Sequence, residues 1–166
     1  FDVYRINVNT GEMIVVGQNP GNITGWQTDH NGKLRIAITT DGVNQSVLYR
    51  DSEDQEFKPL LTTTFKETFA PLFFTFDNKN LYVSSNIGRD KASIVEYDIA
   101  NKKEIKVLYE NPDYDVNGLS YSRKRKVIEF ANYTGWKQEY HFFDKEAKDI
   151  YNDLTSKLPG KELAIT

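Results

Sequence analysis

The sequence has 166 residues, enough for one domain around a single core, and its 10 Phe, 10 Tyr and 2 Trp against one Met favour pleated, half-buried strands. Lys and Arg total 21 against 24 Asp and Glu, a net charge of −3 that leaves no electrostatic footprint for nucleic acid. The lack of cysteine excludes a disulfide framework, a thiolate nucleophile and a thiolate zinc site, and no apolar stretch is long enough to span a bilayer.

No signal peptide is visible, and the chain opens at Phe1-Asp2-Val3-Tyr4, without a Met and already in a strand-like pattern. It reads as a segment of a longer protein, so a periplasmic, secreted or cytoplasmic compartment is left open.

Taken in chain order, residues 3–8 and 12–16 are predicted to be the last two strands of a truncated first unit, joined by Asn9-Thr10-Gly11. The next unit has strands near 23–28, 34–40, 45–50 and 56–61, with Asp41-Gly42 as turn chemistry. A further unit has strands near 71–76, 80–85, 93–98 and 104–109, and the last near 117–121, 126–133 and 137–143. Ala147, Ile150, Tyr151, Leu154 and Leu158 then recur at helical spacing. Asp144 supplies a cap and Pro159-Gly160 a stop, which predicts a helix near 145–158 replacing or preceding the outer strand. Residues 162–166 are expected to begin one more strand.

These units repeat. The strand-end aromatics Tyr4, Tyr49, Tyr97 and Phe143 are 45, 48 and 46 residues apart. Polar turns at 29–33, 77–80 and 122–126 precede apolar runs opened by Leu34, Leu81 and Val127, which are 47 and 46 residues apart. Two markers with one period in the mid-forties, on short strands, are the signature of four-stranded propeller blades. The expected fold class is therefore all-β: an incomplete β-propeller of about three and a half four-stranded antiparallel blades with one short C-terminal helix. The blades fall near 1–20, 21–65, 66–112 and 113–166 of a single partial domain. An incomplete propeller leaves its end blades open, so edge-to-edge self-association of the segment is expected.

Chemistry-bearing motifs are few. Gly118-Leu119-Ser120-Tyr121-Ser122 lacks the second glycine and the following helix of a nucleophile elbow. Of the two histidines, His30 is expected in a surface turn and His141 half-buried in a strand, neither beside an activated hydroxyl. Asp113-Tyr114-Asp115-Val116-Asn117-Gly118 begins like a calcium loop, but the twelfth position, where a bidentate Glu is required, is Lys124. Arg123-Lys124-Arg125-Lys126 occupies the place of a repeated tight turn and reads as a solvated hairpin tip. Asn22, Asn44 and Asn132 head common glycosylation tripeptides. No catalytic residue, metal site or cofactor is assigned. Candidate binding residues are Asp41, Arg89, Asp90, Trp136 and Lys137, on the loops 40–45, 86–92 and 133–137 that join the second and third strands of each blade.

Gly21-Asn22-Ile23-Thr24-Gly25-Trp26 with Asp29-His30-Asn31-Gly32-Lys33-Leu34-Arg35 resembles the propeller of prolyl oligopeptidase-family serine peptidases. So do Ser85-Asn86-Ile87-Gly88-Arg89-Asp90, His141-Phe142-Phe143-Asp144-Lys145 and Lys157-Leu158-Pro159-Gly160. The likeness is greatest to bacterial dipeptidyl aminopeptidase and acylaminoacyl peptidase types. It implies a C-terminal α/β-hydrolase domain as partner, short peptides as substrates and a propeller that restricts their access. It carries no catalytic residue onto any position of this sequence. The alternative is a stand-alone propeller that binds a protein or ligand.

Overall fold

β-Branched and aromatic runs punctuated by Gly, Asn and Asp form antiparallel strands because each run places alternate side chains on opposite sheet faces while each polar turn reverses the chain. The computed structural model describes residues 1–165. Strands β1 (Val3–Ile6) and β2 (Met13–Gly17) make a two-stranded sheet. β3 (Ile23–Thr28), β4 (Leu34–Thr40), β5 (Gln45–Tyr49) and β6 (Lys58–Thr63) make a four-stranded one. β7 (Phe69–Phe74), β8 (Leu81–Ser85), β9 (Ser93–Asp98) and β10 (Lys103–Tyr109) make another. β11 (Val116–Ser122), β12 (Val127–Thr134) and β13 (Gln138–Phe142) form a three-stranded sheet, followed by helix α1 (Lys145–Lys157). Every sheet is a meander in chain order, and the molecule is an incomplete β-propeller.

The blades adhere through apolar faces that the strand alternation creates. Ile36, Val47 and Leu60 of the second sheet meet Phe69, Phe74, Leu81, Val83, Val95, Tyr97 and Ile99 at the third. On the third sheet's other face, Ile94 packs with Val116 and Ala131 of the fourth. Each fully buried side chain of this size contributes about 1.5–3 kcal/mol. Pro59 and Pro71, which cannot donate to a ladder, lie on β6 and β7, the two edge positions of their sheets. At Gly17 an added Cβ would stand 2.7 Å from Leu34 Cδ2, so β2 lies close against the second sheet and a side chain there would have to displace Leu34.

Four sequence expectations need correction. The sixth strand runs 58–63 rather than 56–61, because the buried Arg50 guanidinium collects the carbonyls of Glu53 (3.3 Å) and Gln55 (3.5 Å) and holds 50–57 as a loop. The seventh runs 69–74 rather than 71–76, because Thr75 turns the chain, its amide donating to Asn80 O (2.9 Å) and its hydroxyl to Asp77 (2.6 Å). Residues 162–165 form no strand: Tyr140 Oη donates to Leu163 O (3.5 Å) and accepts from the Ile165 amide (3.0 Å), drawing the segment against the last sheet as irregular chain. The strand expected over 162–166 otherwise falls on Thr166, outside the described residues.

The fourth correction exchanges the histidines. His30 is not a surface turn residue: its ring stacks on Phe76 (5.2 Å between centroids), meets the edge of Tyr121 (5.2 Å), and its Nε2 bonds Phe74 O at 2.8 Å. Its own carbonyl accepts from Arg123 at 3.1 Å, so one residue ties the second, third and fourth sheets together. His141 is instead the exposed one, stacked on Tyr109 with centroids 4.1 Å apart. Burial of that ring face, with Lys148 nearby, holds its pKa below the usual histidine value. Replacing His30 with alanine is expected to destabilise by about 2 kcal/mol, from the lost stacking and an unsatisfied Phe74 carbonyl. Urea unfolding checks this, with His141→Ala as the near-neutral comparison.

Helix α1 starts where the Asp144 carboxylate accepts the Ala147 amide at 2.9 Å, and the same carboxylate pairs with Arg125 at 2.9 Å. Tyr151 lies against Tyr140 and Phe142 (5.3 Å each), so the helix covers part of the last sheet's outer face. Asp144→Ala should cost about 1 kcal/mol and fray the first turn, which helical circular dichroism and amide exchange at 146–148 would report.

Candidate functional site

The strand order sorts all turns onto two rims. One, here the upper rim, holds the inter-blade connections 18–22, 64–68 and 110–115 and the second-to-third-strand loops 41–44, 86–92 and 135–137. Hydrogen bonds stitch these into one band: Thr40 N to Asn22 O (3.1 Å), Asn86 N to Thr68 O (3.2 Å), and Ala92 N to Asp115 Oδ1 (2.7 Å). Gly135 continues it, lying against the Tyr114 ring. The lower rim holds 29–33, 50–57, 75–80, 98–103 and 122–126.

All five sequence-selected residues lie on the upper rim, but they do not converge. The Asp41 carboxylate caps its own loop, accepting the Asn44 amide (2.7 Å), the Asn44 side-chain amide (2.9 Å) and the Val43 amide (2.9 Å). Those bonds, led by the Asn44 amide, hold its pKa down at about 2. Arg89 is committed to the Glu104 carboxylate, which also accepts the buried Ser85 hydroxyl at 2.7 Å. Asp90 is exposed and within 3.3 Å of Lys91. Trp136 projects at the hairpin tip with Lys137 Nζ 5.5 Å from its ring centroid. Beside this pair a cleft of about 350 Å³ opens toward Tyr151, Thr155 and Lys161. Trp136 and Lys137 thus form the part of the selected set that is together and free to meet a partner.

Two further features were not selected from sequence. On the lower rim, a cleft of about 670 Å³ lies between the second and third sheets, walled by Tyr49, Asp51, Lys58, Lys79, Asp98 and Lys102. Its inner end is Arg35, which donates to Tyr49 Oη and to Asn78 O (2.9 Å) and stands 4.9 Å from the Phe74 ring centroid. Between the last two sheets, the rings of Tyr114, Tyr133, Tyr109 and His141 stack in series at 5.8, 6.2 and 4.1 Å. Burial and a bond to Glu139 push the Tyr133 phenol up to about 12. Neither feature has a local motif, because each is assembled from residues of different blades.

Ser120 sits mid-strand in β11 and donates to Glu129 at 3.3 Å, and Ser84 donates to Val116 O at 2.8 Å. Residues 113–115 belong to the inter-blade connection, where Asp115 accepts the Ala92 amide, residues 116–118 open β11, and Lys124 lies on the opposite rim.

Over 168 aligned residues the chain is 29% identical to dipeptidyl aminopeptidase BIII of Pseudoxanthomonas mexicana, covering 96% of this chain and 23% of that protein. The chain is a relative of a dipeptidyl aminopeptidase. The likeness to peptidases of this type expected from the sequence is borne out. It spans under a quarter of the relative's length. No protein-family model matches the chain. Among solved structures, the β-propeller domain of the Trilobed protease from Pyrococcus furiosus aligns at TM-score 0.49 and 13% identity, over 85% of this chain and 49% of that one. Among the described residues, no helix is long and apolar enough to cross a membrane.

Proposed function

We propose that this segment is the non-catalytic part of a serine exopeptidase, shaping and restricting the passage of short peptides to a hydrolase domain elsewhere in the same polypeptide. In this reading residues 1–166 are one partial propeller domain, with blade boundaries near 20, 65 and 112. The observation that carries it is the relationship to a dipeptidyl aminopeptidase over 96% of the chain. The chemistry of the segment agrees, since His30 is consumed in packing and Ser120 in a strand. Blades suit the role physically: packed sheets give a rigid wall, and their loops give an adjustable rim. Asp41, Arg89, Asp90, Trp136 and Lys137 are proposed to shape that rim, with Trp136 and Lys137 making direct contact and Asp41 and Arg89 fixing loop geometry.

The test is cleavage by the complete polypeptide of a peptide series from dipeptidyl substrates to folded proteins. Rates should be high for short peptides and fall sharply with length and folding. Equal rates on short peptides and folded proteins contradict gating, and a parent without peptidase activity favours the stand-alone binding propeller. Concentration-dependent sedimentation of the 166-residue chain separately tests edge-to-edge self-association.

A further inference from the structure

Arg50 is a buried cation whose charge has no bonded counterpart. Its guanidinium donates to four backbone carbonyls, those of Leu34 (2.8 Å), Val16 (3.0 Å), Glu53 (3.3 Å) and Gln55 (3.5 Å), and to no carboxylate. Carbonyl dipoles satisfy N–H donors but leave the charge itself uncompensated, and a buried charge is costly unless paired. Burial accordingly lowers the Arg50 pKa from its usual value, against the opposing pull of Glu53 and Asp54. Arg50 lines the lower-rim cleft of about 670 Å³ between the second and third sheets. So does Arg35, whose largely buried side chain has only long carboxylate contacts, 3.5 Å to Asp29 and 3.9 Å to Asp51. The exposed Lys58, Lys79 and Lys102 line the same cleft. Of its three lining acids, Asp98 accepts the Asn101 amide (2.9 Å) and side chain (2.8 Å), and Asp51 accepts the Tyr49 hydroxyl (2.6 Å). Glu56 is the third. Cations therefore outnumber acids around this cleft by five to three, and two of the acids are engaged within the chain.

We infer that the lower-rim cleft is a binding site for a small organic polyanion, one that carries two or more carboxylate or phosphate groups. The two buried guanidinium charges set a positive potential where the dielectric is low, and it is felt strongly inside the cleft. Their N–H groups are already turned to carbonyls and to Tyr49 Oη, so the direct bonds fall to the lysines, each with three donors on a flexible stem. The volume lies within the range of small-molecule sites, about 300–1,000 Å³, and is too large for a single monatomic ion. The turn at 122–126 is the rival cationic cluster, but it does not line this cleft. Its Arg125 is paired with Glu129 and Asp144, and its Arg123 donates to His30 O. A polyanion site between these blades is independent of whether the polypeptide cleaves peptides.

Calorimetric titration of the complete polypeptide at low ionic strength tests this, with pyrophosphate, citrate and the dipeptide Glu-Glu as probes and Gly-Gly as the neutral reference. At least one anion should bind saturably, Gly-Gly should not, and the bound anion should slow amide exchange at 78–80 and 98–102. A Lys58→Ser, Lys79→Ser double variant should weaken binding by about tenfold or more, since each lysine loses a charge-assisted bond. A Lys124→Ser, Lys126→Ser variant should change it by less than about twofold, because those lysines lie outside the cleft. Arg50→Met, where it folds, should weaken binding further, and the surface lysine pair decides where it does not. Pyrophosphate binding tightest identifies phosphate as the recognised group, and citrate or Glu-Glu binding tightest identifies carboxylate; either supports the site. Absence of binding by all three anions, or equal weakening by the two lysine pairs, overturns it.

Discussion

Replacing Phe69 with alanine is expected to destabilise the protein by about 3–5 kcal/mol, the range for removing a fully buried aromatic ring and leaving a cavity. Phe69 opens the third sheet, is almost completely buried, and meets Tyr97 edge to face with centroids 4.8 Å apart. It belongs to the core that joins the second and third sheets, so the cavity would open at the seam between blades. Its core neighbours Leu81, Val83, Val95 and Tyr97 lie on β8 and β9, the two inner strands of the sheet, whose ladders on both sides resist collapse into the space. The ring's loss also exposes Tyr97, whose phenol oxygen is buried without a partner among the described residues. Urea unfolding at neutral pH checks the magnitude. Truncating Phe65 to alanine, at 80% exposure, should move stability by under about 0.5 kcal/mol.

The second large effect is pH-dependent and centres on Glu53. Its carboxylate accepts both Arg5 guanidinium nitrogens (2.7 and 3.0 Å) and the Leu34 amide (3.0 Å), clamping the first sheet to the second. The Arg5 bonds, with the Leu34 amide, lower its pKa from 4.5 to about 2. A depressed carboxylate stabilises the folded state fully above the unfolded value and loses that contribution as pH falls through the folded value. Stability should therefore be level above about pH 5 and decline between pH 4.5 and 2. Arg5 is 39% exposed, so solvent screening limits the contribution to about 1–2 kcal/mol. Glu53→Gln should lower stability at pH 7 by that amount and flatten the decline. Unfolding curves at pH 7, 4 and 3 for both proteins give the comparison, and an unchanged slope in the variant would show that other carboxylates set the acid limit.

The repeat was legible because each blade reuses the same local solution: a polar turn, an apolar run, an aromatic at a strand end. Tyr49 and Tyr97 occupy that aromatic position in the second and third sheets and pack at the shared core. Tyr4 and Phe143 occupy it at the two ends of the arc and remain partly exposed, because a sheet with one neighbour covers one face. Burial of a repeated position is thus set by the blade's place in the arc, which the repeat itself does not encode. The helix was legible for a similar local reason, with Asp144 capping it as its position implied.

What could not be read are contacts between blades. His30 bonds a carbonyl 44 residues away and accepts from a guanidinium 93 residues away. Arg50 reaches back to Val16 O at 3.0 Å, and Arg5 forward to Glu53. Each such residue looks like an ordinary polar member of a strand or turn until the sheets are stacked. The candidate site shows the same division. Loop position placed all five residues on one rim, but Arg89 was already claimed by Glu104 and Asp41 by its own turn. Only the folded geometry separates Trp136 and Lys137 from them.

A crystal structure of the complete polypeptide tests the central claim most directly. It should show residues 23–63, 69–109 and 116–142 as successive sectors around one axis, joined through the Phe69 and Ile94 seams, with a separate hydrolase domain outside them. A single continuous barrel through these strands, or a hydrolase active site built from residues of this segment, would contradict it.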